Sequence, residues 1–199
     1  MIRRSAPPHA AAAPALADWH SRLISRRRFL LGLAGGSLAG LFGGAKLASG
    51  SARLDETKRW QILDTVQRQL LPSEPDSPGA TEIRALDYLR FVVTDTKVDV
   101  QERQFILEGV GWLEDLSQAQ RGDSFPALEP DVRERLLRRV AASPAGENWL
   151  STLILYLMEA LLCDPAYGGN PDGIGWRWLR HTPGFPRPTA ATVYPSLPQ

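Results

Sequence analysis

Residues 149–163 have the sequence WLSTLILYLMEALLC, and this stretch decides the fold. Only Ser151, Thr152 and Glu159 interrupt its apolar residues, so a helix formed here is apolar on every face. Such a helix is either buried by other elements or lies in a membrane. Fifteen residues that include a glutamate are short for a membrane span, which needs about 20 apolar residues. We therefore predict a central core helix.

The residues before this stretch have the spacing of further helices. In the first of them, Trp60, Leu63 and Leu70 recur at helical intervals. The third has a clear start, because Asp99 can serve as N-cap and Glu102 follows three residues later, as in a capping box. No strand-like alternation with hairpin signals is present. The pattern predicts a small all-α domain of about five helices. Their expected boundaries are near 54–71, 80–94, 99–121, 130–140 and 149–163.

The composition changes after Cys163. Residues 164–178 contain four glycines, two prolines and three aromatic residues, and residues 179–199 add five prolines. Glycine permits positive φ and close approach of the backbone, and aromatic side chains offer a large contact area. We predict that residues 163–199 form a long, irregular, extended tail. This tail lies either on the chain's own helices or on a partner.

The charge is unevenly distributed along the 199 residues. Residues 1–52 hold seven basic residues and one acidic residue, a net charge of +6, whereas residues 53–199 hold 16 basic and 21 acidic residues, a net charge of −5. An acidic body is a poor candidate for binding nucleic acid, which requires clustered Lys and Arg. The single cysteine excludes an internal disulfide framework and any multi-thiolate metal site.

Residues 1–52 have the order of an export signal. The basic stretch of this leader ends in Ser25-Arg26-Arg27-Arg28, which Phe29 and Leu30 follow. Residues 29–45 are uncharged and rich in glycine. The paired Arg26 and Arg27, followed by Phe29 and Leu30, resemble the twin-arginine (Tat) motif, which a receptor reads as an address. Small residues permit cleavage after Gly50 or Ala52. The alternative is an uncleaved membrane anchor, although 17 uncharged residues fall short of a comfortable span.

The body of the chain offers little for catalysis or cofactor binding. Beyond the leader, His181 is the only histidine, so neither a catalytic triad nor a histidine metal site can be assembled around it with any specificity. The glycines of residues 168–175 do not follow a strand and have no lysine at P-loop spacing. We predict no catalytic, cofactor-binding or metal-binding residues in this chain, and we interpret it as a non-catalytic subunit.

Three groups of residues carry a resemblance to a known family. They are Ser25 to Leu30, Leu70-Leu71-Pro72 with Pro78-Gly79-Ala80, and Asp164-Pro165-Ala166-Tyr167-Gly168-Gly169-Asn170 with Gly175-Trp176. With these features the chain resembles, over about residues 25–188, the gluconate 2-dehydrogenase subunit 3 family. These proteins are small (gamma) subunits of bacterial membrane-associated FAD-dependent sugar and polyol dehydrogenases. The segment that precedes Ser25 is a departure from the family and reflects either a misassigned start codon or a real extension.

The resemblance implies a set of partners. They are a large FAD-containing catalytic subunit of the glucose–methanol–choline oxidoreductase type and often a multihaem cytochrome c that passes electrons to quinone. The small subunit supplies the Tat signal, and through the Tat translocase the catalytic subunit is exported with it. The expected location is the periplasm, with membrane association only through the complex. FAD, and haem c where a cytochrome is present, are expected on the partners.

Two hypotheses for the function follow. In the first, the chain is the export escort and structural subunit of such a dehydrogenase. It then contacts its partner through residues of the tail, which are Cys163, Tyr167, Gly168, Gly169, Asn170, Gly175 and Trp176. In the second, it is a stand-alone exported protein or enzyme with a site around Tyr167, Asn170 and His181. Within the first hypothesis, Cys163 either forms a disulfide with the partner or is a buried free thiol, and Tyr167 and Trp176 either meet the partner or pack on the chain's own core helix.

Overall fold

The computed structural model describes residues 54–189 and 191–193. Within these residues, six α-helices and three short 3-10 turns follow one another, and no strand is present. This confirms the all-α prediction. The leader, with Ser25, Arg26, Arg27, Phe29 and Leu30, lies outside the described residues. The helices are α1 (Glu56–Leu70), α2 (Ala85–Thr94), α3 (Val100–Arg121), α4 (Pro130–Ala141), α5 (Pro144–Leu162) and α6 (Ile174–Leu179).

Helix α5 contains the apolar stretch and occupies the centre of the fold. It packs against each of the other five helices. It begins five residues earlier than the sequence pattern predicts, because Ser143 caps it by accepting a hydrogen bond from the backbone N–H of Gly146 and Pro144 occupies the first turn. Helix α2, in contrast, begins later, at Ala85, because Arg84 just before it adopts a left-handed conformation with φ of 53°.

Trp149 joins α5 to α3 in the middle of the core. Its side chain is fully buried, and its indole N–H donates a hydrogen bond of 3.0 Å to the carbonyl oxygen of Ile106. The ring lies directly against Gly109, where an added Cβ would overlap the indole. The two helices can therefore approach this closely only because residue 109 has no side chain.

Glu114 of α3 fixes a second contact, with α1 and the connection to α4. Its buried carboxylate forms an ion pair of 2.8 Å with the ammonium group of Lys58. It also accepts hydrogen bonds from the hydroxyl group of Ser124 and the backbone N–H of Phe125. Burial raises the pKa of Glu114, but these donors outweigh that effect and hold the pKa below its ordinary value. The carboxylate thus stays charged and keeps the turn at Phe125 against the core.

One face of α5 is not covered. Ile154, Met158 and Leu162 are 44%, 38% and 45% exposed, although the prediction was a helix buried all round. They follow one another at intervals of four residues, which places them along one side of the helix. The prediction of a central helix is correct, but its burial is complete only on the sides that meet the other helices.

The close approach of α3 and α5 yields a matched pair of substitutions. Gly109→Ala forces a methyl group into the Trp149 ring, and overpacking of this kind costs about 1–3 kcal/mol of unfolding free energy. Gly111→Ala lies in the same helix with no neighbouring atom within 4 Å of the added carbon. It should raise stability by up to about 1 kcal/mol, because alanine favours the helix. Denaturant unfolding of both variants measures the difference, and equal effects at the two positions would contradict the packing described here.

Candidate functional site

The C-terminal segment, residues 163–189, folds back onto the end of α5. It forms 3-10 turns at Pro165–Tyr167 and Pro171–Gly173 and then helix α6. The prediction of an extended tail is therefore wrong for residues 165–179. Gly168 and Gly173 adopt φ of 93° and 69°, and these positive values let the backbone turn twice within a few residues. Residues 181–189 contain no helix or strand, as the prolines predict.

Asn170 ties the segment to the residues before α2 and joins two parts of the segment to each other. It is completely buried, and its backbone N–H donates to the carbonyl oxygen of Ile83. Its side-chain amide donates a hydrogen bond of 2.9 Å to the carbonyl oxygen of Cys163 and accepts one of 2.7 Å from the backbone N–H of Gly175. Both ends of the amide are thus occupied by backbone groups, so the role of this side chain is to hold the segment in place.

Two glycines let the segment approach α5 closely. A Cβ on Gly169 would lie 2.7 Å from the carbonyl oxygen of Ala160 and 2.9 Å from the sulfur of Cys163. A Cβ on Gly175 would overlap the carbonyl oxygen of Leu161. Both glycines are buried, whereas Gly168 is exposed with only the backbone of Asp87 within 4 Å of an added Cβ. Gly169 and Gly175 thus serve the packing of this chain on itself.

Trp176 lies in the same packed region and is only 7% exposed. Its indole N–H donates a hydrogen bond of 2.8 Å to the carbonyl oxygen of Leu162, the last residue of α5. The guanidinium carbon of Arg187 lies 4.8 Å from the centre of the ring, a distance typical of a cation–π contact. The residue therefore packs on the chain's own core helix, and its ring is covered from outside by Arg187.

Arg187 also forms an ion pair with Asp164. The guanidinium Nε lies 2.9 Å from the carboxylate Oδ2, and the other carboxylate oxygen accepts from the backbone N–H of Ala166. Burial raises the pKa of Asp164, but the hydrogen bonds from Arg187 and from the backbone N–H of Ala166, together with the charge of Arg187, outweigh this effect, so the pKa lies below its ordinary value. Residues 164 and 187 are far apart in sequence, and no pattern in the sequence signalled this pair.

Cys163 and Tyr167 are half-buried at the junction between α5 and the segment. The thiol of Cys163 lies 3.6 Å from the carbonyl oxygen of Ala160. Burial raises the pKa of Cys163 to about 11, against a weaker opposing effect of the Gly169 backbone N–H. The ring of Tyr167 packs on Phe91 with a centroid distance of 5.9 Å. Whether either side chain also contacts another chain stays a prediction.

A groove of about 720 Å³ opens between the end of α5 and residues 181–189. Tyr167, Trp176, His181 and Phe185 are among the residues that line it. Tyr167 and His181 thus share one groove, but Asn170 does not line it, because its amide is used inside the packed region. The structure therefore does not assemble the three residues of the stand-alone hypothesis into one site.

Two further properties concern the described part of the chain. Among these residues, no group of three or more His, Cys, Asp or Glu side chains is arranged to hold a metal ion. In the same residues, no helix is both long and apolar enough to cross a membrane.

A family model described as gluconate 2-dehydrogenase subunit 3 matches residues 57–184. The match begins in the first turn of α1 and ends five residues after α6, so it covers well over half of the chain. The chain belongs to the gluconate 2-dehydrogenase subunit 3 family. No curated protein and no solved structure matches it. The family assignment confirms, for residues 57–184, the resemblance inferred from the sequence.

The role of Asn170 can be tested against a neighbour with the same backbone conformation. Asn170 and Asp172 both have positive φ, so alanine at either position brings a similar backbone cost, but the Asp172 side chain is exposed. Asn170→Ala also leaves the carbonyl oxygen of Cys163 and the backbone N–H of Gly175 without their hydrogen-bond partner. We expect it to lose about 2–4 kcal/mol more unfolding free energy than Asp172→Ala. Thermal and denaturant melts measure this, and equal losses would show that the amide bonds contribute little.

The raised pKa of Cys163 predicts slow thiol modification. Only the thiolate reacts, so with a pKa of about 11 very little of the thiol is reactive at pH 8. The labelling rate of the folded chain should therefore keep rising until the pH approaches 11. Because the chain has one cysteine, iodoacetamide labelling followed by mass spectrometry reports this site alone. The chain unfolded in guanidinium is the control, with an expected midpoint at about pH 8.5. A folded-state midpoint at that same value would contradict the prediction.

Proposed function

We propose that this chain is the non-catalytic small subunit of a periplasmic FAD-dependent sugar or polyol dehydrogenase. In this proposal it stabilises the catalytic subunit and provides the Tat signal for the export of both. The match of residues 57–184 to the gluconate 2-dehydrogenase subunit 3 family carries the proposal. The catalytic subunit is of the glucose–methanol–choline oxidoreductase type, and a multihaem cytochrome c can complete the complex.

The use of polar side chains in the C-terminal segment supports a structural role. The amide of Asn170, the indole N–H of Trp176 and the carboxylate of Asp164 all bond to groups of this same chain. Side chains that are committed in this way hold a surface in one shape, and a rigid surface binds a partner at a lower entropic cost. The dehydrogenase chemistry is therefore assigned to the partner, with FAD on the catalytic subunit and haem c on the cytochrome.

The leader supports the export part of the proposal. Arg26 and Arg27 precede Phe29 and Leu30 and an uncharged, glycine-rich run, the features that resemble a Tat signal. Export through this route places the complex in the periplasm. Its attachment to the membrane is then made by the other subunits.

Co-expression of the full-length chain with a flavoprotein dehydrogenase of the glucose–methanol–choline type from the same genome tests the proposal. We expect both proteins in the periplasmic fraction and flavin absorbance in the affinity-purified complex, with dehydrogenase activity towards sugars or polyols and an artificial electron acceptor. Arg26→Lys with Arg27→Lys should keep both proteins in the cytoplasm. These substitutions leave the charge of the leader unchanged, so a loss of export would show that the arginine pair itself, and not its charge, is recognised.

The leader itself contains a matched control. Arg3 and Arg4 form a second arginine pair that no phenylalanine–leucine sequence follows, and changing both to Lys should leave export unaffected. Periplasmic arrival of the Arg26→Lys, Arg27→Lys variant would remove the Tat assignment. A wild-type chain that reaches the periplasm without the flavoprotein, and purifies without flavin, would remove the subunit role.

A further inference from the structure

The exposed apolar residues of the chain are concentrated in one region. Of the seven large hydrophobic residues that are exposed in the described part of the chain, six belong to α5, α6 and residues 181–189. The seventh is Val100, at the start of α3. Exposed apolar residues grouped on neighbouring elements mark an interaction site more often than residues scattered singly do. We call the six residues the docking face: Ile154, Met158, Leu162, Trp178, Leu179 and Phe185.

Contacts within the chain connect the parts of the docking face. Ile154, Met158 and Leu162 lie along one side of α5, and Leu162 also lines the groove together with Phe185. Helix α6, which carries Trp178 and Leu179, packs against α5. Phe185 is 81% exposed and borders the groove. The face thus runs from the middle of α5 to the segment that follows α6.

The charge of this region differs from that of the rest of the body. Residues 173–189 contain three arginines and no acidic residue, whereas residues 53–199 as a whole carry a net charge of −5. Arg177 and Arg180 are exposed and flank Trp178 and Leu179, and Arg187 is paired with Asp164. The docking face is therefore apolar along α5 and basic at its α6 end. Such a surface is complementary to an apolar patch with an acidic rim.

We propose that the docking face binds the catalytic flavoprotein subunit, through an apolar patch on that subunit bordered by acidic residues. The inference rests on the proposed function and specifies where the partner binds. The partner then contacts the exposed side chains of the docking face rather than the buried side chains that hold the C-terminal segment together, such as Asn170 and Trp176. Interface hot spots favour tryptophan and cluster near the centre of the contact, which makes Trp178, at 42% exposure, the residue expected to matter most.

The charges favour this occupant over a second copy of the chain. A twofold contact brings the same patch of both copies together, so the Arg177 and Arg180 pairs would meet, and the exposed Asp172 of each copy could balance only half of these charges. The α5 part of the face has no Lys or Arg between residues 147 and 162, whereas a surface that lies on an anionic membrane has basic residues along its length. A subunit whose surface combines an apolar patch with acidic residues fits both the apolar α5 part and the basic α6 end of the docking face.

The test uses the full-length chain co-expressed with the flavoprotein dehydrogenase, and it measures the dissociation constant and the flavin recovered per chain. Met158→Glu and Trp178→Ala alter the face at two separate helices, and each should weaken binding by about tenfold or more. Val100→Glu introduces the same charge at an exposed apolar position outside the face, and should leave binding within about twofold. Because all three positions are exposed, the thermal midpoints should stay near that of the wild type, and a variant with a lowered midpoint is replaced by Ile154→Glu.

The basic end of the face is tested separately. Arg177→Glu with Arg180→Glu should weaken binding at low salt, and the difference from the wild type should shrink as salt screens the charges. A loss that is independent of salt would show that the partner's rim is not acidic, and would overturn that part of the proposal.

The remaining outcomes separate this inference from the proposed function. If the wild-type complex forms and the Met158→Glu and Trp178→Ala variants bind as tightly, the docking face is wrong and the subunit role stands. If the wild-type chain does not bind the flavoprotein, both are wrong. Self-association of the wild type that Met158→Glu abolishes would assign the face to a second copy. Binding to phosphatidylglycerol vesicles that Trp178→Ala abolishes would assign it to the membrane. Either result would overturn the proposal.

Discussion

The burial of α5 is the constraint on which the rest of the described structure depends. A largely apolar helix of 19 residues is not stable alone in water, and the other five helices pack around it. Trp149 sets the distance to α3, because its indole both donates to the carbonyl oxygen of Ile106 and presses on Gly109. The positions of α1 and α4 follow from α3, to which the buried Glu114 ties Lys58 and the turn at Phe125.

The end of α5 explains why the C-terminal segment folds back. The last four carbonyl groups of a helix have no partner within it. Here the side chain of Trp176 donates to the carbonyl oxygen of Leu162, and the side chain of Asn170 donates to that of Cys163. The segment therefore completes the core helix in addition to packing on it. This is the physical reason why residues 165–179 are folded although they are rich in glycine and proline.

The sequence predicted the elements better than their contacts. Apolar periodicity is a local property, so it located the ends of α1 to α5 to within five residues, and Asp99 does cap α3 by accepting from the backbone N–H of Gln101. The segment was located by its glycines, aromatics and Asn170, but their roles depend on the distance to α5, which no spacing reveals. The pair of Asp164 and Arg187 gave no signal, since it forms only after the chain has turned twice. In the same way, the pattern of α5 could not show which of its apolar faces the other helices leave open.

The completion of α5 by Asn170 and Trp176 has a consequence for synthesis. Both residues follow α5 in the sequence, so the ribosome has made the whole central helix before the groups that close its end exist. Helices α1 to α5 can form and collapse earlier, but the carbonyl oxygens of Leu162 and Cys163 then remain open to solvent. The domain can therefore close the end of its central helix only after residue 176 has been made.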